Sequence, residues 1–278
     1  MSAPAQEIAS AGAPSASCTS KCNAIASRGG EQQAPLAFFA MKGAGDQLKP
    51  AHAIFDLDGT LVDSKRDLAE AVNATRAYMG SGPFANDLIY SYVGNGVPLL
   101  VRRALGSEAS EADFQKALAY FLPWYRDHAL VHTRLYAGVR ESLERLRSAR
   151  VHLAVLTNKP TDTSLAILEG LGVSHFFFRV YGGDSFPQTK PDPVGIHALL
   201  AESRVPRSRT VLVGDSAVDV RTARNAQIRV YGVSYGFAPQ SLIADPPDLL
   251  FDSMLSLTER LLENDSPCRR LQTSANLS

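Results

Sequence analysis

The chain has 278 residues, 45% of them hydrophobic, and its 28 basic side chains balance 28 acidic ones. That length supports one large core, or a core with a smaller unit attached. Charge neutrality speaks against a binder of nucleic-acid backbones, and no apolar run reaches bilayer-spanning length, so a soluble, cytoplasmic protein with no nucleic-acid or membrane partner is expected.

Residues 1–50 are rich in Ala, Ser, Gly and Gln, show little periodicity, and read as a disordered extension. No apolar stretch follows a basic start, which speaks against a secretory signal. Glu7, Glu31 and the single Arg28 speak against a transit peptide, and Met41 offers a second start position. Cys18 and Cys22 lie in this extension and Cys268 in the C-terminal tail, so no disulfide-stapled core is expected.

The first ordered element is the apolar run Ala51 to Phe55, read as a buried strand. It leads into Asp56-Leu57-Asp58-Gly59-Thr60-Leu61-Val62-Asp63-Ser64. Strand side chains alternate faces, so Asp56 and Asp58 point the same way. Gly59 permits a close turn, and Thr60 is expected to tie down the loop. A compact acidic cup with backbone N–H groups beside it suits a divalent cation and a phosphate far better than it suits a core.

From Lys65 to Leu135 there is no clear strand. Helices are predicted over Asp67–Met79, Val97–Leu105 and Glu111–Leu130, punctuated by Gly80-Ser81-Gly82-Pro83 and Gly94-Asn95-Gly96. Residues 67–135 read as a helical cap beside the acidic cup, where a lid excludes water and selects substrate. His128 and His132 have helical spacing without a HExxH pattern and read as a helix face. Trp124 and Tyr125 read as packing.

Beyond the cap, strand and helix alternate. Strands are predicted at Val151–Leu156, Phe177–Tyr181, Thr210–Val213 and Arg229–Val233, with a weaker one at Leu249–Phe251. Helices are predicted at Thr161–Leu171, Val194–Ser203 and Ala217–Ala226. This alternation predicts an α/β fold, a parallel sheet covered on both faces with its ligand site at the carboxyl ends of the strands. Asp56, Thr157, Asp184 and Asp215 all fall just past predicted strands, at that edge. Phe176, Phe177 and Phe178 are expected in the sheet core.

Four clusters meet there: Asp56 with Asp58; Thr157-Asn158-Lys159-Pro160; Lys190 in Thr189-Lys190-Pro191-Asp192; and Gly214-Asp215-Ser216-Ala217-Val218-Asp219. Each part has a use in phosphoryl transfer. One carboxylate can attack phosphorus, and a second can give the leaving group a proton and then activate water. Asp56 and Asp215 suit Mg²⁺, Thr157 and Asn158 can hold the transferring oxygens, and Lys190 offsets the accumulated negative charge.

In this order the clusters resemble the four motifs of the haloacid dehalogenase superfamily of phosphatases, over about residues 51–262. The resemblance implies a Rossmann-like core at 51–66 and 136–264, the helical cap at 67–135, and a loose tail at 265–278. It implies that Asp56 is the nucleophile, Asp58 the acid/base, Thr157 a phosphate ligand and Lys190 the charge stabiliser. Mg²⁺ would be held by Asp56, the Asp58 backbone carbonyl and Asp215, with Asp219 orienting a metal-bound water or Lys190. Gly59 and Asn158 join the substrate-binding set. DLDGTLVDSKRDLAEAVN, VGNGVPLLVRRAL, LTNKP, GGDSFPQTKPDP, VGDSAVDVRTA and YGVSYGF are similar to the superfamily's phosphoglycolate phosphatases. That likeness implies a small phosphorylated carboxylate, 2-phosphoglycolate, as substrate. The Gly94-Asn95-Gly96 turn would then bring backbone N–H groups of Gly96 and its neighbours, and the Asn95 amide, near the carboxylate.

Alternatives stay open: a phosphatase for another small phosphomonoester such as a sugar phosphate or nucleotide, a β-phosphoglucomutase-like phosphotransferase, or a non-catalytic phosphate- or partner-binding module. Asp58 counts against a dehalogenase, and Lys65-Arg66-Asp67-Leu68 lacks the His expected of the mutase. Monomer and dimer are equally compatible with the sequence.

Overall fold

The computed structural model describes residues 49–263. Apart from Lys49 and Pro50, the extension expected at 1–50, the tail at 265–278 and all three cysteines lie outside the described residues.

In chain order the elements are β1 (His52–Phe55), β2 (Val62–Asp63), α1 (Lys65–Tyr78), α2 (Asn86–Tyr90), α3 (Val97–Leu105), α4 (Glu111–His128), β3 (Arg134–Leu135), α5 (Val139–Ser148) and β4 (His152–Leu156). There follow α6 (Thr161–Gly170), β5 (Arg179–Tyr181), α7 (Val194–Ser203), β6 (Thr210–Gly214), α8 (Ala217–Ala226), β7 (Arg229–Val233), α9 (Ser241–Ala244), β8 (Leu249–Phe251) and α10 (Met254–Leu262). Six strands form one parallel sheet in the order β5-β4-β1-β6-β7-β8. This is the α/β fold with a helical insert that the sequence predicts.

The sheet is buried on both faces, and the alternation along each strand divides its side chains between two layers. Ala53, Phe55, Leu153, Val155, Val211 and Val213 face a core completed by Val139, Leu143 and Leu146 of α5 and by Leu257 and Leu261 of α10. Ile54, Ala154, Leu156 and Leu212 face Ile196 and Leu199 of α7 and Val220 and Ala223 of α8. The first layer continues into the insert through Leu68, Val72, Val101, Phe121 and Tyr125.

β1 lies at the centre, between β4 and β6. The chain passes to one side of it, through β4 and β5, and then crosses to the other. A crevice opens at the carboxyl end of a strand with such neighbours. Asp56, Thr157 and Asp215 follow β1, β4 and β6 and converge there.

Where the sequence predicts no strand, β2 and β3 pair antiparallel, Val62 with Leu135 and Asp63 with Arg134. The two chain passages between sheet and insert therefore run side by side. Asp67, in the first turn of α1, pins the returning passage. Its carboxylate accepts from the backbone N–H groups of His132 and Thr133, at 2.9 and 2.8 Å, and from the Thr133 hydroxyl at 2.7 Å.

Three expectations need correction. α4 ends at His128, so His132 lies outside the helix, with Nε2 3.3 Å from Glu70. Phe176, Phe177 and Phe178 precede the edge strand β5 and belong to no sheet strand: Phe178 is 40% exposed, while Phe176 and Phe177 are half-buried and pack against the core from its margin. The Thr60 hydroxyl is buried without a hydrogen-bond partner. The loop is tied down by backbone instead, with Gly59 donating to Val62 at 2.9 Å and the Tyr235 hydroxyl donating to the Thr60 carbonyl at 2.9 Å.

Candidate active site

Asp56 leaves β1 with its carboxylate turned into the crevice. Its Oδ1 accepts from the Leu57 backbone N–H at 2.7 Å, and its Oδ2 lies 3.0 Å from the Lys190 ammonium. Lys190 also reaches Asp219, 2.6 Å away, and sits buried behind the two carboxylates. Burial opposes its charge, but Asp219 and Asp56 outweigh that and raise its pKa. Burial raises the Asp56 carboxyl to about 6, against the opposing influence of Lys190.

Asp215, after β6, is the most perturbed carboxyl of the set. Burial pushes it up to about 8, reinforced by the charges of Asp219 and Asp56. Its Oδ2 accepts from the Phe237 N–H at 2.6 Å and the Ala238 N–H at 3.3 Å, in the loop after β7. Two glycines make room for it. A Cβ at Gly59, whose φ is +80°, or at Gly236 would overlap the Asp215 carboxylate. Asp219 has both oxygens engaged, one on Lys190 and the other on Ser216, whose N–H and hydroxyl it accepts at 3.2 and 2.7 Å. It caps α8 and fixes Lys190 together.

Asp56, Asp215 and Asp219 offer carboxylate oxygens within 4.8 Å of one another, all buried. Three buried carboxylates against one lysine leave a negative excess, which a hard cation with oxygen preference would offset. The residues present thus fit a divalent metal.

Asp58 faces the insert. Its Oδ1 accepts from the Ser64 hydroxyl at 2.5 Å, and the Lys159 ammonium spans both its oxygens at 2.9 and 3.0 Å. Lys159 also donates to the Tyr125 hydroxyl of α4 at 2.5 Å. Thr157 is buried, and its Oγ1 accepts from the Lys159 N–H at 3.3 Å. Asn158 lines the crevice, but its amide clasps the Lys190 backbone: Oδ1 accepts from the Lys190 N–H at 2.9 Å and Nδ2 donates to the Lys190 carbonyl at 3.1 Å.

The crevice is a pocket of about 40 Å³. Asp56, Asp58, Thr157, Lys159 and Asp215 form its polar floor, and Leu68, Val93, Val97 and Leu100 of the insert its apolar roof. Gly94 and Gly96 line it, while the exposed Asn95 does not. Asp184 lies off the site, accepting from the Thr161 N–H at 2.8 Å at the start of α6.

Lys159, Gly236 and Phe237 are the residues that sequence reasoning gave no role. Lys159 had a local signal, its place beside Thr157 and Asn158 after β4.

The sequence profile of the haloacid dehalogenase-like hydrolases matches residues 53–233, which spans every element just described from β1 to β7. The chain belongs to this family. Among its relatives is the phosphoglycolate phosphatase of Pseudomonas fluorescens, 37% identical over 77% of this chain and 80% of the relative. The phosphoglycolate phosphatase of Photobacterium profundum is 36% identical over 74% of this chain and 93% of its own length. A crystal structure described as a predicted phosphoglycolate phosphatase from Haemophilus somnus superposes with a TM-score of 0.72 at 31% identity, covering 76% of this chain and 98% of that one. In this haloacid dehalogenase-like hydrolase, no helix among the described residues is long and apolar enough to cross a membrane.

Proposed function

We propose that the protein is a Mg²⁺-dependent phosphatase that hydrolyses 2-phosphoglycolate to glycolate and phosphate. The observation that carries this reading is the pairing of Asp56, which lines the pocket, with the Lys190 ammonium 3.0 Å behind it, and a second carboxylate, Asp58, on the side of the insert.

Asp56 attacks phosphorus and the bond from phosphorus to the ester oxygen breaks, leaving an aspartyl phosphate. Asp58 delivers the proton that the departing alkoxide requires. It then takes a proton from the water that attacks the aspartyl phosphate, which frees phosphate and restores Asp56. Lys190 offsets the charge that nucleophile and phosphoryl group bring together, and the Thr157 hydroxyl is placed to donate to a phosphoryl oxygen. Asp56, Asp215 and the Asp58 carbonyl would hold Mg²⁺, with Asp219 orienting Lys190. When bound, the ion supplies charge neutralisation and alignment of the phosphoryl oxygens.

One feature of the site supports a small leaving group: the pocket has little room. The names of the relatives agree with that chemistry.

The test is phosphate release across a panel with Mg²⁺: 2-phosphoglycolate, sugar phosphates, nucleotides and 4-nitrophenyl phosphate. 2-Phosphoglycolate should lead in kcat/KM. A nucleotide or sugar phosphate in front would overturn the substrate assignment, and no phosphate release from any of them would overturn the activity.

A further inference from the structure

Two lysines of the site are already engaged. Lys190 is tied to Asp56 and Asp219, at 3.0 and 2.6 Å, and Lys159 spans both oxygens of Asp58. Lys65, the first residue of α1, is not. Its ammonium lies 4.9 Å from the centroid of the Phe237 ring, and no carboxylate among the described residues pairs with it. An aromatic face holds a cation in place without neutralising it, so the charge and its three donors stay available to a ligand. In the first turn of a helix a cation also stands against the macrodipole, so Lys65 gains nothing from α1 itself.

Three contacts put that charge beside the crevice. Phe237 lines it. So does Leu68, three residues on in α1 and therefore on the same side of the helix as Lys65. Ser64, immediately before Lys65, donates its hydroxyl to Asp58, the carboxylate that faces the insert. In the proposed mechanism the leaving group departs past Asp58, so it faces the same side. The Gly94-Asn95-Gly96 turn, from which the sequence predicts a contact with the substrate carboxylate, leaves Asn95 exposed and off the crevice.

We infer that Lys65 reads the anionic end of the leaving group, pairing with the carboxylate of a phosphorylated carboxylic acid. The inference rests on the phosphatase reading and names the side chain behind its substrate preference. An ester whose leaving group carries a carboxylate close to the ester oxygen meets the Lys65 ammonium while its phosphoryl group lies at Asp56. A neutral leaving group of the same size offers the ammonium no charge to pair with.

The experiment measures steady-state kinetics with Mg²⁺ for the parent, Lys65→Met and Lys65→Glu. The substrates are 2-phosphoglycolate and 2-hydroxyethyl phosphate, in which a neutral hydroxymethyl group replaces the carboxylate. Methionine keeps an unbranched stem against Phe237 and removes the charge, and glutamate reverses it. The ratio of kcat/KM for 2-phosphoglycolate to that for 2-hydroxyethyl phosphate should fall about tenfold in Lys65→Met, mostly through KM, and further in Lys65→Glu. Melting temperatures report any loss of fold separately. Should one variant fail to fold, the other decides by the same ratio.

Equal losses on both esters would overturn the inference and leave Lys65 a structural partner of Phe237. A ratio in Lys65→Glu no lower than in Lys65→Met would also overturn it, since charge would then not be what is read. Parent protein that releases phosphate from neither ester nor from 4-nitrophenyl phosphate would reject the phosphatase reading, and the role of Lys65 with it. An active parent whose ratio is unchanged in both variants would reject the role of Lys65 alone.

Discussion

Asn158 holds Lys190 by the backbone, accepting from its N–H at 2.9 Å and donating to its carbonyl at 3.1 Å. The side chain that places Lys190 beside Asp56 is thus set from another loop, 32 residues away in sequence. Asn158→Ala should let the Lys190 segment drift and lower kcat by roughly ten- to a hundredfold, since small displacements of a charge-stabilising group are costly. Steady-state kinetics with 2-phosphoglycolate would check this. An unchanged kcat would mean that the Lys190 segment keeps its place without the clasp.

Asp56→Asn should reduce turnover by about a thousandfold or more, because an amide is a poor nucleophile towards phosphorus. The fold should persist, as Lys190 retains Asp219 at 2.6 Å. A folded variant with appreciable turnover would refute the aspartyl-phosphate route.

The buried carboxyls predict a pH-dependent response to metal. Asp215 is raised from 3.8 to about 8 and Asp56 to about 6, so between those limits the metal-free folded state binds more protons than the unfolded chain. Its stability should therefore fall as pH rises from about 4 to 8. Mg²⁺ takes the place of those protons, so the rise in Tm that it causes should be larger at pH 8 than at pH 5. Thermal melts with EDTA or Mg²⁺ at both pH values would test it, and equal shifts would place the ion elsewhere.

At the opposite end of the sheet, burial lowers the His52 imidazole from 6.5 to about 4, aided by His152. A folded state that resists protonation loses stability as pH falls from about 6.5 to 4, on the order of 3 kcal/mol by this group alone. Replacing His52 with Gln should flatten that part of the stability curve. Denaturant midpoints of the two proteins across the window would show the difference, and parallel curves would contradict it.

Asp67→Ala should destabilise the chain by about 1–3 kcal/mol for each buried donor of His132 and Thr133 left without an acceptor. Chemical denaturation gives the value directly. A change of a few tenths would show that these donors find other partners.

Much of this was legible in the sequence, and the exceptions share a cause. α3, α7 and α8 have the bounds their apolar periodicity predicts, and β1, β4, β6 and β7 depart from theirs by at most a residue. Asp56, Thr157 and Asp215 were visible because each follows a strand and the strand ends converge, with Asp58 two residues on. Lys190, nine residues past β5, was marked only by its own cluster, and Asp184, which does follow β5, lies off the site. α5 went unread: its buried stripe of Val139, Leu143 and Leu146 is diluted by five charged residues in a ten-residue helix. β2 and β3 have two residues each, too few for a period. Lys159 stood in the cluster after β4 without a role, and Tyr125 read as packing. Their meaning lies in pairings across the fold, which no local pattern encodes.

The side-by-side passage of β2 and β3 makes the insert an exchangeable cassette. Asp63 and Arg134 are paired neighbours, so the sheet meets the segment between them as it would meet a hairpin turn of any length. Helices in that segment can vary, and with them the roof of the pocket, while strand order and the acidic floor stay as they are. Such exchange has two fixed points. Asp67 fastens the cassette to its own return path, and the Tyr125 hydroxyl meets Lys159 at the floor, so a transplanted insert that lacks either should sit loosely over the pocket.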